Sequence, residues 1–156
     1  MGRAEFPKYG FPHLDRWPAP LLRATTQGIL VRMQAGHLEP APRVLVVDDH
    51  PSFRRCARAL LSSEGFEVVG EAEDGSSALA LTAELAPDVV LLDVQLPDIS
   101  GFEVASRLHE TYPALAIVLV SSRDRSSYGS TILTSGARGF ITKADLSGAA
   151  LARLLA

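Results

Sequence analysis

The chain has 156 residues, 47% of them hydrophobic and 21% charged, the composition of one globular domain with some tail to spare. Its longest unbroken apolar run, Ala114 to Val120, has seven residues, against the roughly 20 needed to cross a bilayer, so no membrane helix is expected. The net charge of −3 divides into +2 over residues 1–42 and −5 over residues 43–156, and an acidic domain without a basic stripe is a poor nucleic-acid binder.

Glu5, Pro7 and Pro12 stand where a signal peptide would need an apolar block, which points to a cytoplasmic protein. Residues 1–42 hold six of the ten prolines, with Phe6, Tyr9, Phe11 and Trp17 scattered among them and no sustained period. They read as a Pro-rich, weakly ordered extension in which Ile29-Leu30-Val31 forms at most a short strand or helical turn. The aromatics offer a docking surface as an alternative. Met33 precedes the first core strand by ten residues, which makes it a candidate alternative start.

From Arg43 onward short apolar runs alternate with amphipathic stretches. Val44-Leu45-Val46-Val47 reads as a buried strand closed by Asp48-Asp49-His50-Pro51, and a helix follows through Phe53, Ala57, Leu60 and Leu61, stopped by Gly65. The only cysteine, Cys56, falls in that helix; it excludes an internal disulfide and is expected to be a small core residue. Phe66 to Ala72 reads as a second strand, and a helix through Ala78, Leu81 and Leu85 breaks before Pro87.

The third strand is Val89-Val90-Leu91-Leu92-Asp93, an unbroken apolar run of the kind buried on both faces of a parallel sheet. Pro97 prevents its continuation and leaves Asp93 at its carboxyl end. Ser100-Gly101-Phe102-Glu103 has capping-box spacing for a helix through Ala105 and Leu108 to about Tyr112. The fourth strand, Ala116 to Val120, ends in Ser121-Ser122. A polar helix around Ser127 to Ser135 stops at Gly136, Gly139 to Thr142 forms a short fifth strand ending at Lys143, and Asp145 is placed to cap a last helix through Leu151 and Leu155.

Strands alternating with helices imply an α/β fold with a doubly wound, five-stranded parallel sheet, right-handed crossovers and helices on both faces. Parallel strands align their carboxyl ends, where ligands of such sheets bind. Asp48, Asp49, Asp93, Ser121 and Lys143 therefore converge on one edge. Clustered carboxylates repel unless a cation lies between them, and hard oxygen donors select Mg²⁺ or Mn²⁺. One carboxylate is then free to act as a nucleophile toward phosphorus, with a cation and a hydroxyl donor for the phosphoryl oxygens. Lys143 is the only lysine after Lys8, and lysine supplies the compact point charge that arginine lacks.

These residues resemble the receiver domain of bacterial two-component response regulators over residues 43–156. The resemblance rests on Val46-Val47-Asp48-Asp49, on Leu92-Asp93-Val94-Gln95-Leu96-Pro97 with Gly101 after it, on Val120-Ser121-Ser122, and on Gly139-Phe140-Ile141-Thr142-Lys143. Asp49-His50-Pro51 and Val68-Val69-Gly70-Glu71-Ala72 look most like receivers that precede a LuxR-type DNA-binding domain, which does not follow here before Ala156. The resemblance implies a flavodoxin-like sheet in strand order 2-1-3-4-5 and a single-domain regulator, or one whose output part was lost.

It further implies that Asp93 accepts a phosphoryl group from the phosphohistidine of a sensor histidine kinase or phosphotransfer protein. Asp48, Asp49, Asp93 and the main-chain carbonyl of Gln95 would serve Mg²⁺, Asp48 largely through water. Ser121 and Phe140 would form the switch, while Gln95 and Arg123 would tune the lifetime of the phosphate. A downstream protein or a second copy would bind the face made by the fourth helix, fifth strand and last helix, near Tyr128, Ile132, Phe140 and Leu151. The family usually has a proline after the lysine; this chain has Ala144.

Plainer readings stand beside these. Asp88 and Asp98 read as cap or turn residues, His50 as a solvated first-turn residue, and Ser122 and Ser126 as loop hydroxyls; His13, His37 and His109 carry no signal. The alternative function is a receiver fold that takes no phosphate and serves as a fixed interaction or dimerisation module. An aspartate-nucleophile phosphatase resembling the haloacid dehalogenase group would need Asp-x-Asp on the first strand, which Asp48-Asp49-His50 does not supply. A flavin or dinucleotide site would need a glycine or hydroxyl loop there.

Overall fold

The computed structural model describes residues 21–24, 30–34 and 37–156. Strands β1 (Leu21–Ala24), β2 (Leu30–Gln34) and β3 (His37–Pro40) pair antiparallel in the order β1-β2-β3. This is regular structure at positions read from the sequence as part of a weakly ordered extension. Gln34 of β2 pairs with His37 of β3, and the paired segments are too short to show a period in the sequence. The expectations for Phe6, Tyr9, Phe11, Trp17 and Ile29 lie outside the described residues.

The second sheet holds β4 (Arg43–Val47), β5 (Glu67–Ala72), β6 (Val89–Asp93), β7 (Ala116–Ser121) and β8 (Gly139–Thr142), all parallel, in the order β5-β4-β6-β7-β8. Counted from Arg43 this is the expected 2-1-3-4-5. The connecting helices are α1 (Pro51–Ser63), α2 (Gly75–Leu85), α3 (Gly101–Thr111), α4 (Thr131–Thr134) and α5 (Gly148–Leu155).

Side chains along a strand alternate between faces, and in the three central strands both faces are apolar. Val44, Val46, Val89, Leu91, Ala116, Val118 and Val120 pack with Ala57 and Leu61 of α1 and Leu151 and Leu155 of α5. Leu45, Val47, Val90, Leu92, Ile117 and Leu119 pack on the other side with Ala78 of α2, Val104, Ala105 and Leu108 of α3, and Ile132 of α4. Two-sided burial is why these strands read as unbroken Val/Leu/Ile runs.

Several local expectations need correction. Cys56 is exposed: it is adjacent to the inward-facing Ala57, on the solvent side of α1. The helix expected around Ser127 to Ser135 is instead a 3₁₀ turn at Arg125–Ser127 and the four-residue α4; Gly129, at φ 53°, lies between them in a left-handed conformation that does not continue a helix. Asp145 does not cap α5. Ser147 does, accepting from the Ala150 N–H at 3.0 Å, while Asp145 accepts from the Thr142 hydroxyl at 2.7 Å. Lys143 begins a 3₁₀ turn that runs to Asp145. Asp88 is a buried strand tie, accepting from the Arg43 N–H at 2.9 Å, and burial pushes its carboxyl above the usual range. No helix among the described residues is long and apolar enough to cross a membrane.

Candidate functional site

The register of the sheet builds the site. Val47 of β4 lies opposite Leu92 of β6, so the next residues, Asp48 and Asp93, emerge side by side at about one inter-strand spacing, roughly 5 Å. Asp93 is paired with Val120 of β7, which puts Ser121 one residue beyond, and Ser121 is paired with Thr142 of β8, which puts Lys143 one beyond that. Four functional side chains thus follow from a shared edge.

Asp48 is fully buried and Asp93 is 3% exposed. Lys143 reaches between them, with Nζ 2.5 Å from Asp48 Oδ2 and 3.2 Å from Asp93 Oδ2. The contact to Asp48 is an ion pair off the angle of a regular hydrogen bond. Beneath the ammonium lies the ring of Phe53 from α1, 4.6 Å away, close enough for a cation–π contact. The other oxygen of Asp93 accepts from the Gln95 N–H at 3.2 Å, and Asp48 Oδ1 accepts from the His50 N–H at 2.8 Å.

One ammonium does not balance this set. Burial, reinforced by the charge of Asp48, raises the Asp93 carboxyl to about 6 in spite of Lys143 and the Gln95 N–H. For Lys143, burial disfavours the charged form, but its contacts with Asp48 and Asp93 outweigh that and hold its ammonium above the usual lysine range. Ligand atoms of Asp48, Asp49, His50 and Asp93 lie within 4.8 Å of one another. A hard divalent cation suits such a donor set, since it would offset charges that the protein leaves partly uncompensated.

The other expected residues fall around this centre. Asp49 is at the rim, its carboxylate 2.9 Å from His50 Nδ1, which also lies 3.1 Å from Asp48. His50 is exposed, as expected, but it is the N-cap residue of α1 and not a first-turn residue, and it also bridges both acids. Gln95 and Arg123 are exposed on the loops after β6 and β7. Phe140 is half-buried in β8.

The Ser121 hydroxyl accepts from the Arg123 N–H at 3.1 Å and meets the Tyr128 hydroxyl at 2.5 Å. Tyr128 was legible only as a residue near the far face; its reach to Ser121 depends on the turn at Arg125–Ser127. Arg54 was missed altogether. Its guanidinium donates to the Asp48 carbonyl at 2.6 Å and pairs with Glu71 at 3.3 Å, pinning the end of β4; an arginine one turn into a helix gives no sequence signal of that.

Asp98 accepts from the Gly75 and Ser76 N–H groups at 2.8 and 2.9 Å, which hold its carboxyl far below the usual range. It therefore fastens the loop after Asp93 to the start of α2. On the same loop, the Gly101 N–H donates to the Val94 carbonyl at 2.8 Å, and a Cβ at Gly101 would fall 2.1 Å from the Asp93 carbonyl oxygen and 2.8 Å from Val94 Cα. Both neighbours are backbone and cannot swing away. Gly101→Ala is expected to cost about 2–3 kcal/mol, as overpacking does, and to displace Asp93, read as a lower urea midpoint at unchanged slope.

Residues 44–153 match the family model of the response regulator receiver domain. The response regulator GacA of Pseudomonas viridiflava is 40% identical over 114 residues, 72% of this chain and 51% of that protein. The transcriptional regulatory protein DegU of Brevibacillus brevis is 35% identical over 102 residues, 65% of this chain and 43% of that protein. The chain spans about half the length of the curated relatives it matches. Among solved structures, a two-component response regulator of the LuxR family from Aurantimonas sp. SI85-9A1 superposes with a TM-score of 0.67 at 32% identity, covering 73% of this chain and 85% of that one. Chemotaxis protein CheY4 of Vibrio cholerae superposes with a TM-score of 0.65 at 28% identity, covering 74% and 96%. From Val44 to Arg153, by sequence and by strand order alike, the chain belongs to the response regulator receiver family.

Proposed function

We propose that residues 43–156 form a phosphoacceptor receiver of a cytoplasmic two-component system, with residues 1–42 as an extension to it, and that Asp93 takes a phosphoryl group from the phosphohistidine of a sensor kinase or phosphotransfer protein. The observation that carries this reading is the placement of Lys143 against both Asp48 and Asp93 at the carboxyl edge of the sheet. With its carboxyl at about 6, Asp93 is mostly ionised at neutral pH and able to act as a nucleophile.

A carboxylate oxygen of Asp93 attacks phosphorus, the bond from phosphorus to the donor imidazole breaks, and the imidazole leaves with that bond's electrons. Lys143 lies beside the Asp93 oxygen and attracts the phosphoryl oxygens, while Ser121 supplies a hydroxyl donor. Mg²⁺, held by Asp48, Asp49, Asp93 and the Gln95 carbonyl, would neutralise the acidic cluster and the phosphoryl charge. Gln95 and Arg123, exposed on the loops after β6 and β7, would set how readily water reaches the acyl phosphate.

Ser121 and Phe140 would carry the change outward to the face of α4, β8 and α5, a population shift of a receiver between two states. That face has a groove of about 440 Å³ lined in part by Arg125, Phe140, Ile141, Arg153 and Leu154, which supports a protein partner or a second copy as the reader of the switch. Incubation with acetyl phosphate and Mg²⁺ is expected to add one phosphoryl mass to the intact protein, and Asp93→Asn to abolish the gain. No gain in the wild type would favour a receiver fold that serves as a fixed interaction module.

A further inference from the structure

A serine hydroxyl offers one proton and two lone pairs, and that of Ser121 is already engaged away from Asp93. One lone pair takes the Arg123 N–H; the Tyr128 hydroxyl, 2.5 Å away, takes the proton or the second lone pair. Both partners belong to the segment just after β7. With Ser121 as the donor to Tyr128, its only proton is spent there, and serving a phosphoryl oxygen on Asp93, which can only accept, requires the hydroxyl to turn from that segment toward the β6 edge.

Tyr128 is also held by its ring. It packs edge-on against Phe102 of α3, with centroids 5.5 Å apart at 65°, and tilted against Phe140 of β8, 5.7 Å apart at 54°. The residues around it, from Ser122 to Thr131, are otherwise exposed, and Gly129 directly after it adopts φ 53°. A segment with so little burial is the part of the fold that rearranges at least cost.

We propose that Tyr128 is a positioning residue for Ser121: its hydroxyl holds the serine in the unphosphorylated arrangement and releases it when Asp93 carries phosphate. The inference rests on the phosphoacceptor reading of Asp93. Release frees the ring of Tyr128 from its place between Phe102 and Phe140, so the serine's turn and the movement of Phe140 are one event. The hydrogen bond lost opposes phosphorylation, and its removal favours it.

The test uses the full chain with Mg²⁺ and beryllofluoride as a phosphoryl mimic. Tyr128→Phe keeps the ring and deletes the hydroxyl, and is expected to lower the half-saturating beryllofluoride concentration by about two- to tenfold, the worth of one neutral hydrogen bond. In a Ser121→Ala background the same substitution is expected to change nothing, because the two groups act through each other. An unchanged midpoint with Ser121 present, or a gain that persists without it, overturns the proposal.

The wild type supplies a second readout. With ¹³C-labelled tyrosine, assigned by Tyr9→Phe and Tyr112→Phe, the hydroxyl-bearing ring carbon of Tyr128 is expected to shift on beryllofluoride addition; a stationary signal at saturation overturns the proposal. A wild type that neither binds beryllofluoride nor gains phosphoryl mass overturns the phosphoacceptor reading and the role of Tyr128 with it.

Discussion

Replacing Lys143 with alanine is expected to lower the melting temperature by about 10 °C at pH 8 in metal-free buffer, an effect of about 2–3 kcal/mol. The ammonium lies against two carboxylates that are almost fully buried. Removing it leaves two like charges side by side on adjacent strands with no cation between them, which costs more than the pair itself contributes. The figure falls at the low end for a buried pair because the Lys143 side chain keeps 15% of its surface in solvent.

The direction of rescue identifies the cause. Saturating Mg²⁺ is expected to restore most of the loss, since a divalent ion among Asp48, Asp49 and Asp93 replaces the missing charge, and Mg²⁺ is expected to stabilise the variant more than the wild type. Equal melting temperatures in chelator would show that the Lys143 charge contributes no net stability, and a loss that Mg²⁺ does not narrow would trace its effect to packing on Phe53. With Mg²⁺ present the variant is still expected to gain one phosphoryl mass, because the nucleophile is Asp93.

The sequence revealed most where one physical rule governed many residues. Val89 to Leu92 had to be apolar on both faces, which announced a central parallel strand, and the parallel arrangement then brought Asp48, Asp93, Ser121 and Lys143 to one edge without knowledge of any distance. What stayed hidden depended on turns. The side chain of Tyr128 meets Ser121 only because the chain makes a 3₁₀ turn at Arg125–Ser127, and a stretch of small polar residues has no period from which to read that.

Caps were ambiguous for a related reason: Asp145 and Ser147 are both good N-cap residues, and the one-turn excursion after Lys143 decided for the serine. The exposed position of Cys56 follows from the helix face read correctly: Phe53, Ala57, Leu60 and Leu61 turn to the core and leave Cys56 outside it, a distinction that composition cannot make. Strands β1 to β3 escaped notice because each has only four or five residues, too few for alternation to stand out.

Asp93→Asn, which removes the proposed chemistry, is expected to raise stability in metal-free buffer at pH 8 by about 1–2 kcal/mol. Burial and Asp48 move this carboxyl from 3.8 in the unfolded chain to about 6 in the fold, and two units correspond to at most about 3 kcal/mol; the solvent that reaches the edge through Asp49 and the open loops reduces that. Because the folded value is the higher one, the ionised form is a cost present in full above pH 6, and it is relieved as pH falls from 6 to 4 and the folded state takes up the proton first. The difference between variant and wild type is therefore expected to be constant above pH 7, to shrink between pH 6 and 4, and to vanish below. Mg²⁺ reverses the order: it binds the native carboxylates and stabilises the wild type by mass action, while the variant, with one carboxylate fewer, gains less. Urea midpoints at pH 5 and pH 8, with and without Mg²⁺, separate these cases. A variant less stable than the wild type in chelator at pH 8 would mean that the Lys143 and Gln95 contacts outweigh the repulsion from Asp48, and that Asp93 is not held as a strained carboxylate awaiting a cation.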